Sequence, residues 1–192
     1  MRALMWFRSD LRLQDNTALH HACTAADEGV ITVFAICPKQ WADHDWGSMK
    51  VDFVLRSVRA ISEALAKPNI PLRIVRADCF NEVPSKLLNL ATRHACEALY
   101  FNKEYEVNAL RRDCEVTKLF HERRRAVHAF TDQVVVDVGR LRTGSRRFDP
   151  QGAFIRQFLP ELRDMPTALL QDPPTLARNL PSGIDYPPPI CD

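Results

Sequence analysis

Five short apolar runs punctuate the chain up to residue 130: Ala3–Phe7, Val30–Ile36, Leu72–Val75, Ala98–Phe101 and Val127–Phe130. Each is bounded by polar or proline-containing turns, the pattern of strands buried in a parallel sheet. Between them, apolar positions recur at helical spacing. Val51, Val54, Leu55, Val58, Ile61 and Leu65 form one stripe. Val83, Leu87, Leu88, Leu90 and Ala91 form another, with Asn81 as its expected N-cap and Pro84 in the first turn, where proline is tolerated. Asp15-Asn16-Thr17 offers cap chemistry ahead of Ala18, Leu19 and Ala22. The alternation predicts an α/β fold, a five-stranded parallel doubly wound, Rossmann-like sheet with right-handed crossovers. Strand orders 2-1-3-4-5 and 3-2-1-4-5 both satisfy it.

The pattern changes near residue 138. Nine of the thirteen prolines lie between Pro150 and Pro189. The chain is therefore divided into an α/β domain (1–138), a linker (139–147) and a proline-rich tail (148–192). Phe154, Ile155, Phe158, Leu159 and Leu162 fall on one helical stripe. They predict a short helix within 148–162 whose apolar face is only partly covered, and which could drive self-association. Pro160 and the prolines beyond it argue against a long helix, so residues 165–192 are expected to hold little regular structure.

Composition fits a soluble globular protein: 192 residues, 46% hydrophobic and 26% charged. A net charge of +2 falls short of the basic balance of a dedicated nucleic-acid-binding domain. No run reaches the length of a membrane span, and Arg8, Asp10 and Arg12 interrupt any leader-like apolar stretch. A cytoplasmic location is expected. Six cysteines at 23, 37, 79, 96, 114 and 191 form no C-x-x-C pair and are read as free thiols, with no metal site.

None of the six glycines builds G-x-G-x-x-G or a P-loop after a strand. The turn after the first strand carries Arg8, Asp10 and Arg12 instead. Two readings stand: an ion-pair cluster tying the turn to its neighbours, or a polar wall of a chromophore site at the carboxyl end of the sheet. Two further polar strings follow strands on that same edge, Gln40-Trp41-Ala42-Asp43-His44 and Tyr105-Glu106-Val107-Asn108. Arg111, Arg112, Lys118, Arg123, Arg124 and Arg125 are interleaved with acids and read as a solvated, ion-paired helix face. Arg140, Arg142, Arg146 and Arg147 suit either phosphate attraction or a former interdomain crossing. No catalytic constellation is found, and Trp6 is read as core.

Several strings carry a family resemblance. Trp6 to Asn16 matches W-F-R-x-D-L-R-x-x-D-N without a gap. Gln40–His44 resembles Q-W-x-x-H, and Tyr105–Asn108 resembles the start of Y-E-V-N-E. In the tail, Phe148–Leu162 resembles F-D-x-x-G-x-[YF]-I-R-x-W-L-P-E-L, and Tyr186–Ile190 resembles Y-P-x-P-I. Together they resemble the DNA photolyase and cryptochrome family. The resemblance implies light-driven repair of cyclobutane pyrimidine dimers in DNA, with FAD in a helical domain. It also implies a folate (methenyltetrahydrofolate) or other antenna chromophore on the α/β domain. In folate-binding relatives the histidine and asparagine matching His44 and Asn108 line the antenna pocket. The candidate cofactor-binding residues are thus His44, Asn108, Arg8 and Asp10. The acid that follows the asparagine in those relatives is Ala109 here, so antenna binding is expected to be weak or lost. Thr143-Gly144 resembles the exit of the α/β domain, whereas Arg147-Phe148 already resembles the far end of the helical domain. The expected protein is a truncated photolyase-like chain that is not catalytic alone and lacks an FAD site. The alternatives are a stand-alone chromophore-binding or interaction module, or half of a protein completed by a second chain.

Overall fold

The first strand, β1 (Ala3–Phe7), alternates its side chains between two cores. Ala3, Met5 and Phe7 enter one, and Leu4 and Trp6 the other, as a period of two requires. The protein is described by a computed structural model covering residues 1–137, 140–141 and 151–163. After β1 come α1 (Thr17–Ala25), β2 (Val30–Ile36), α2 (Pro38–Asp43), α3 (Ser48–Ala66) and β3 (Leu72–Arg76). Then follow α4 (Val83–Arg93), β4 (Ala98–Asn102), α5 (Val107–Glu122), β5 (Ala126–Phe130) and α6 (Gln151–Arg163). All four strand pairings are parallel and the order is β3-β2-β1-β4-β5. This is the 3-2-1-4-5 alternative, whose order reverses beside β1.

Helices cover both faces. Ala18, Leu19 and Ala22 of α1 and Val58, Ile61 and Leu65 of α3 pack with Met5, Phe7 and Val30. Val83, Leu87, Leu90 and Ala91 of α4 and Val116 and Phe120 of α5 pack with Leu4, Trp6, Leu99 and Phe101 on the other face. Asn16 caps α1 by accepting from the Leu19 N–H at 3.0 Å.

Three expectations are corrected. β5 is an edge strand with Ala126, His128 and Ala129 exposed rather than buried on both faces. Asn81 is not a cap, because Phe80–Glu82 form a 3₁₀ turn and α4 starts at Val83 with Pro84 in its first turn. The α5 face is not uniformly solvated: Arg112 and Asp113 are buried, and Arg123 to Arg125 lie beyond the helix. In the tail, α6 runs through Pro160. Phe154 and Phe158 stack at 5.4 Å while Ile155 and Leu159 stay exposed. Arg140 pairs with Glu161 at 3.2 Å. Apart from Arg140 and Leu141, the linker expected over 139–147 lies outside the described residues, as do residues 164–192.

Candidate functional site

Open parallel sheets bind ligands at the carboxyl ends of their strands, beside the point where strand order reverses. In dinucleotide-binding folds a pyrophosphate takes the free N–H groups of the helix after the first strand. Here the chain's own side chains take them. Thr17 N–H donates to Asp132 Oδ1 at 3.0 Å, Ala18 N–H to Asn102 Oδ1 at 3.0 Å, and Leu19 N–H to Asn16 Oδ1. Arg12 Nη2 donates to Asp132 Oδ2 at 2.7 Å. Asp10 binds this cluster from the β1–α1 turn. Its Oδ1 accepts from the Arg8 N–H at 2.8 Å, and its Oδ2 from Asn102 Nδ2 at 2.6 Å. Burial pushes the Asp10 carboxyl up, against the opposing pull of the Arg8 N–H, the Asn102 amide and the Arg8 charge.

A second network lies beneath β1 and β4. Arg8 Nη1 donates to both oxygens of Asp113, at 2.8 and 2.6 Å, and lies 3.6 Å from Glu104. Arg112 pairs with Glu104 at 2.9 Å and with Asp113 at 3.2 Å. Two buried cations thus share two carboxylates, which offsets the cost of desolvating four charges. Burial raises the Glu104 carboxyl, but Arg8, Arg112 and the Ser9 and Arg112 hydrogen bonds outweigh it and hold Glu104 below its ordinary value. Both guanidinium carbons lie over the Trp6 indole, Arg8 at 4.9 Å and Arg112 at 4.6 Å from its centroid. Trp6 is core, as expected, at 1% exposure.

Above these networks opens a cavity of about 790 Å³, within the usual range of small-molecule sites. Arg8, Asp10, His44 and Asn108 all line it. Their surroundings differ. Arg8 and Asp10 are buried; both Asp10 oxygens and Arg8 Nη1 engage protein partners, whereas the buried Arg8 Nη2 has no hydrogen-bond partner among the described residues. His44 ends α2, Asn108 opens α5, and both are exposed. Neither side chain bonds another described residue. The same holds for the side chains of Gln40 and Glu106, which also line the cavity. One wall is aromatic: Trp41 and Trp46 stack at 5.3 Å with planes 3° apart, and Lys50 Nζ sits 3.7 Å from the Trp46 centroid. A flat aromatic wall and uncommitted polar side chains in one cavity suit a planar heteroaromatic group. Ala109 lines the cavity next to Asn108 and brings no carboxylate. Among the described residues no three His, Cys, Asp or Glu side chains converge as a metal site would require.

The residues missed at the sequence level are Asn102, Glu104, Arg112, Asp113 and Asp132. Asn102 had a signal, a polar residue closing an otherwise apolar strand. Glu104, Arg112 and Asp113 sit in charge-rich strings that look alike whether buried or solvated, and Asp132 is a lone acid in a turn after β5.

The chain is similar to known proteins along most of its length. The DNA photolyase family profile matches residues 3–175. The deoxyribodipyrimidine photo-lyase of Salmonella typhimurium is 34% identical over 142 residues, covering 74% of this chain and 30% of that protein. The Vibrio cholerae deoxyribodipyrimidine photo-lyase is 31% identical over 181 residues, covering 94% of this chain and 37% of that protein. The crystal structure of a Sulfolobus tokodaii photolyase with two FAD molecules aligns with a TM-score of 0.63 at 26% identity, over 74% of this chain and 32% of that one. A Synechocystis cryptochrome shares the fold, with a TM-score of 0.73 at 19% identity, over 97% of this chain and 39% of that one. This chain thus spans about a third of the length of these proteins. No helix among the described residues is long and apolar enough to cross a membrane. With the sheet order, the motif loops on one edge and these likenesses agreeing, the chain belongs to the DNA photolyase family.

Proposed function

We propose that this is a shortened photolyase-like protein whose α/β unit receives a planar light-absorbing cofactor at the carboxyl edge of its sheet. We also propose that dimer repair does not proceed on this chain alone. The observation that carries the reading is the single cavity lined by Arg8, Asp10, His44 and Asn108. In this reading the stacked Trp41–Trp46 pair forms one wall against the ring, while His44, Asn108 and Gln40 supply its polar contacts. Arg8 and Asp10 fix the floor and the β1–α1 turn. The bound group supplies light absorption; the chain supplies shape, orientation and exclusion of water.

The domain division supports the second half of the reading. The α/β unit ends near residue 138, and the string resembling the far end of a helical domain begins at residue 148. Too little chain lies between them to enclose a second flavin. A folate or a flavin is the group to test, since the Sulfolobus tokodaii photolyase holds two FAD molecules. With Ala109 in place, one charge-assisted hydrogen bond to an amino-bearing pterin is absent, worth about 1.5–3 kcal/mol. The absorption spectrum of the purified chain, followed by titration with methenyltetrahydrofolate and FAD, tests the reading. Saturable binding that is lost in Trp46→Ala supports it. A colourless protein that binds neither compound refutes it, and light-dependent repair of dimer-containing DNA by this chain alone refutes the second half.

A further inference from the structure

The sheet edge opposite the cavity, where the strands begin, gathers arginines. Arg2 precedes β1, Arg73 lies near the start of β3, Arg93 ends α4, Arg123 follows α5 and Arg125 precedes β5. They surround the turn His94-Ala95-Cys96, which Ala95 closes in a left-handed conformation at φ 53°. Arg2 Nη1 donates to the His94 carbonyl at 2.9 Å. Arg125 donates to the Cys96 carbonyl and to Thr92 Oγ1. These acceptors are neutral, so neither cation is matched by a carboxylate. Arg8, Arg12, Arg56 and Arg112, by contrast, each face one. Arg93, Arg123 and Arg124 are exposed and pair with no carboxylate among the described residues.

Three acids share this edge, where they precede β2 and β4. Asp27, Glu28 and Glu97 gather around the Met1 ammonium, the last two at 3.3 and 3.9 Å. The carboxyl ends of α1, α3, α4 and α5 reach this edge, each contributing at most about half a negative charge, less than one guanidinium apiece. His94 registers the resulting field: burial first, then Arg73, Arg93 and Arg2, hold its imidazole below the ordinary value. In formal charge Arg2, Arg73, Arg93, Arg123, Arg124, Arg125 and the Met1 ammonium outnumber Asp27, Glu28, Glu97 and Glu122 on this edge, which stays net positive.

We propose that this arginine edge is a second binding surface, separate from the cavity, that takes the phosphodiester backbone of a nucleic acid. Guanidinium forks match phosphate oxygens two at a time and stay charged at any working pH. The surface also lacks what other acidic partners need. Among the described residues the large exposed apolar side chains are Met49, Phe53, Val107, Leu110, Val134, Val135, Ile155 and Leu159, and none belongs to the segments that form this edge. An anionic membrane or an acidic peptide therefore finds no apolar anchor beside the charge.

The test is binding of a fluorescein-labelled DNA duplex by the full chain, followed by anisotropy across a salt series. Arg93 and Arg124 are exposed and make no ion pair, so Arg93→Gln with Arg124→Asn removes two charges without opening the fold; Asn also suits the left-handed backbone at position 124 (φ 55°). Each lost phosphate contact lowers the slope of log affinity against log salt by about 0.9. The double variant is expected to lose about two units of slope and most of its low-salt affinity. Lys39→Gln with Arg56→Gln changes net charge equally at distant ion pairs and is expected to bind like the parent. No binding at low salt overturns the proposal, as does an equal loss in both variants. Binding to phosphatidylserine vesicles but not to DNA also overturns it.

Discussion

Asn102, the last residue of β4, donates its amide to Asp10 Oδ2 at 2.6 Å, and its carbonyl oxygen accepts from the Ala18 N–H at 3.0 Å. One buried side chain thereby joins the end of a strand, the β1–α1 turn and the start of a helix. The cavity floor depends on it, because Asp10 holds the turn that carries Arg8.

Replacing Asn102 with alanine strands the Ala18 N–H in a buried place and leaves Asp10 Oδ2 only the longer Asn16 amide contact at 3.3 Å. Each unsatisfied group costs about 1–3 kcal/mol. A loss of about 2–4 kcal/mol in urea-induced unfolding is expected. A value within experimental error of the parent means that Asp10 finds another partner.

Glu104 sets an acid limit on stability. Its folded pKa lies below the unfolded value of 4.5. Its contribution is present above that value and disappears as pH falls through the lowered folded value. Asp10 has the opposite sign: its raised folded pKa favours folding at low pH and costs stability as pH rises through it. Glu104→Gln is expected to flatten the acid limb of a stability–pH curve relative to the parent. An unchanged limb assigns acid unfolding to other carboxylates.

His21 stacks on Phe130 at 4.5 Å with the planes 3° apart, beside His20. Burial, then the charges of His20 and His128, lower its pKa from 6.5. Stability from neutral His21 is complete above 6.5 and falls as pH drops toward the lowered folded value. His94 acts in the same direction. In His21→Phe the fall of the urea midpoint across this range should become smaller without vanishing. A fall as steep as the parent's assigns the whole effect to His94.

Ala109→Glu places a carboxylate in the cavity beside Asn108. A gain of about 1.5–3 kcal/mol is about 10- to 100-fold in affinity for an amino-bearing pterin. Fluorescence-quenching titration of the variant and the parent measures it. Equal affinities mean that position 109 does not meet the ring.

The strands, the placement of three motif loops on one edge and the Asn16 cap were legible because each is local. They follow from apolar runs, turn chemistry and a strand's direction. The order 3-2-1-4-5 was not legible, since both candidate orders bury the same runs. The exposure of β5 was hidden because Val127 and Phe130 give it the composition of an inner strand. The burial of Arg112 and Asp113 depends on Arg8 and Glu104 arriving from elsewhere, and no window of sequence contains all four.

The cap on α1 has a consequence in time. Its three acceptors come from Asn16, from Asn102 and from Asp132, the last two lying 84 and 115 residues from the N–H groups they receive. The first helix of the α/β unit to be synthesised is thus among the last of its elements to be completed. Until residue 132 has emerged, Thr17 lacks its acceptor and Arg12 its counter-ion, so synthesis of the α/β unit ends by locking its beginning.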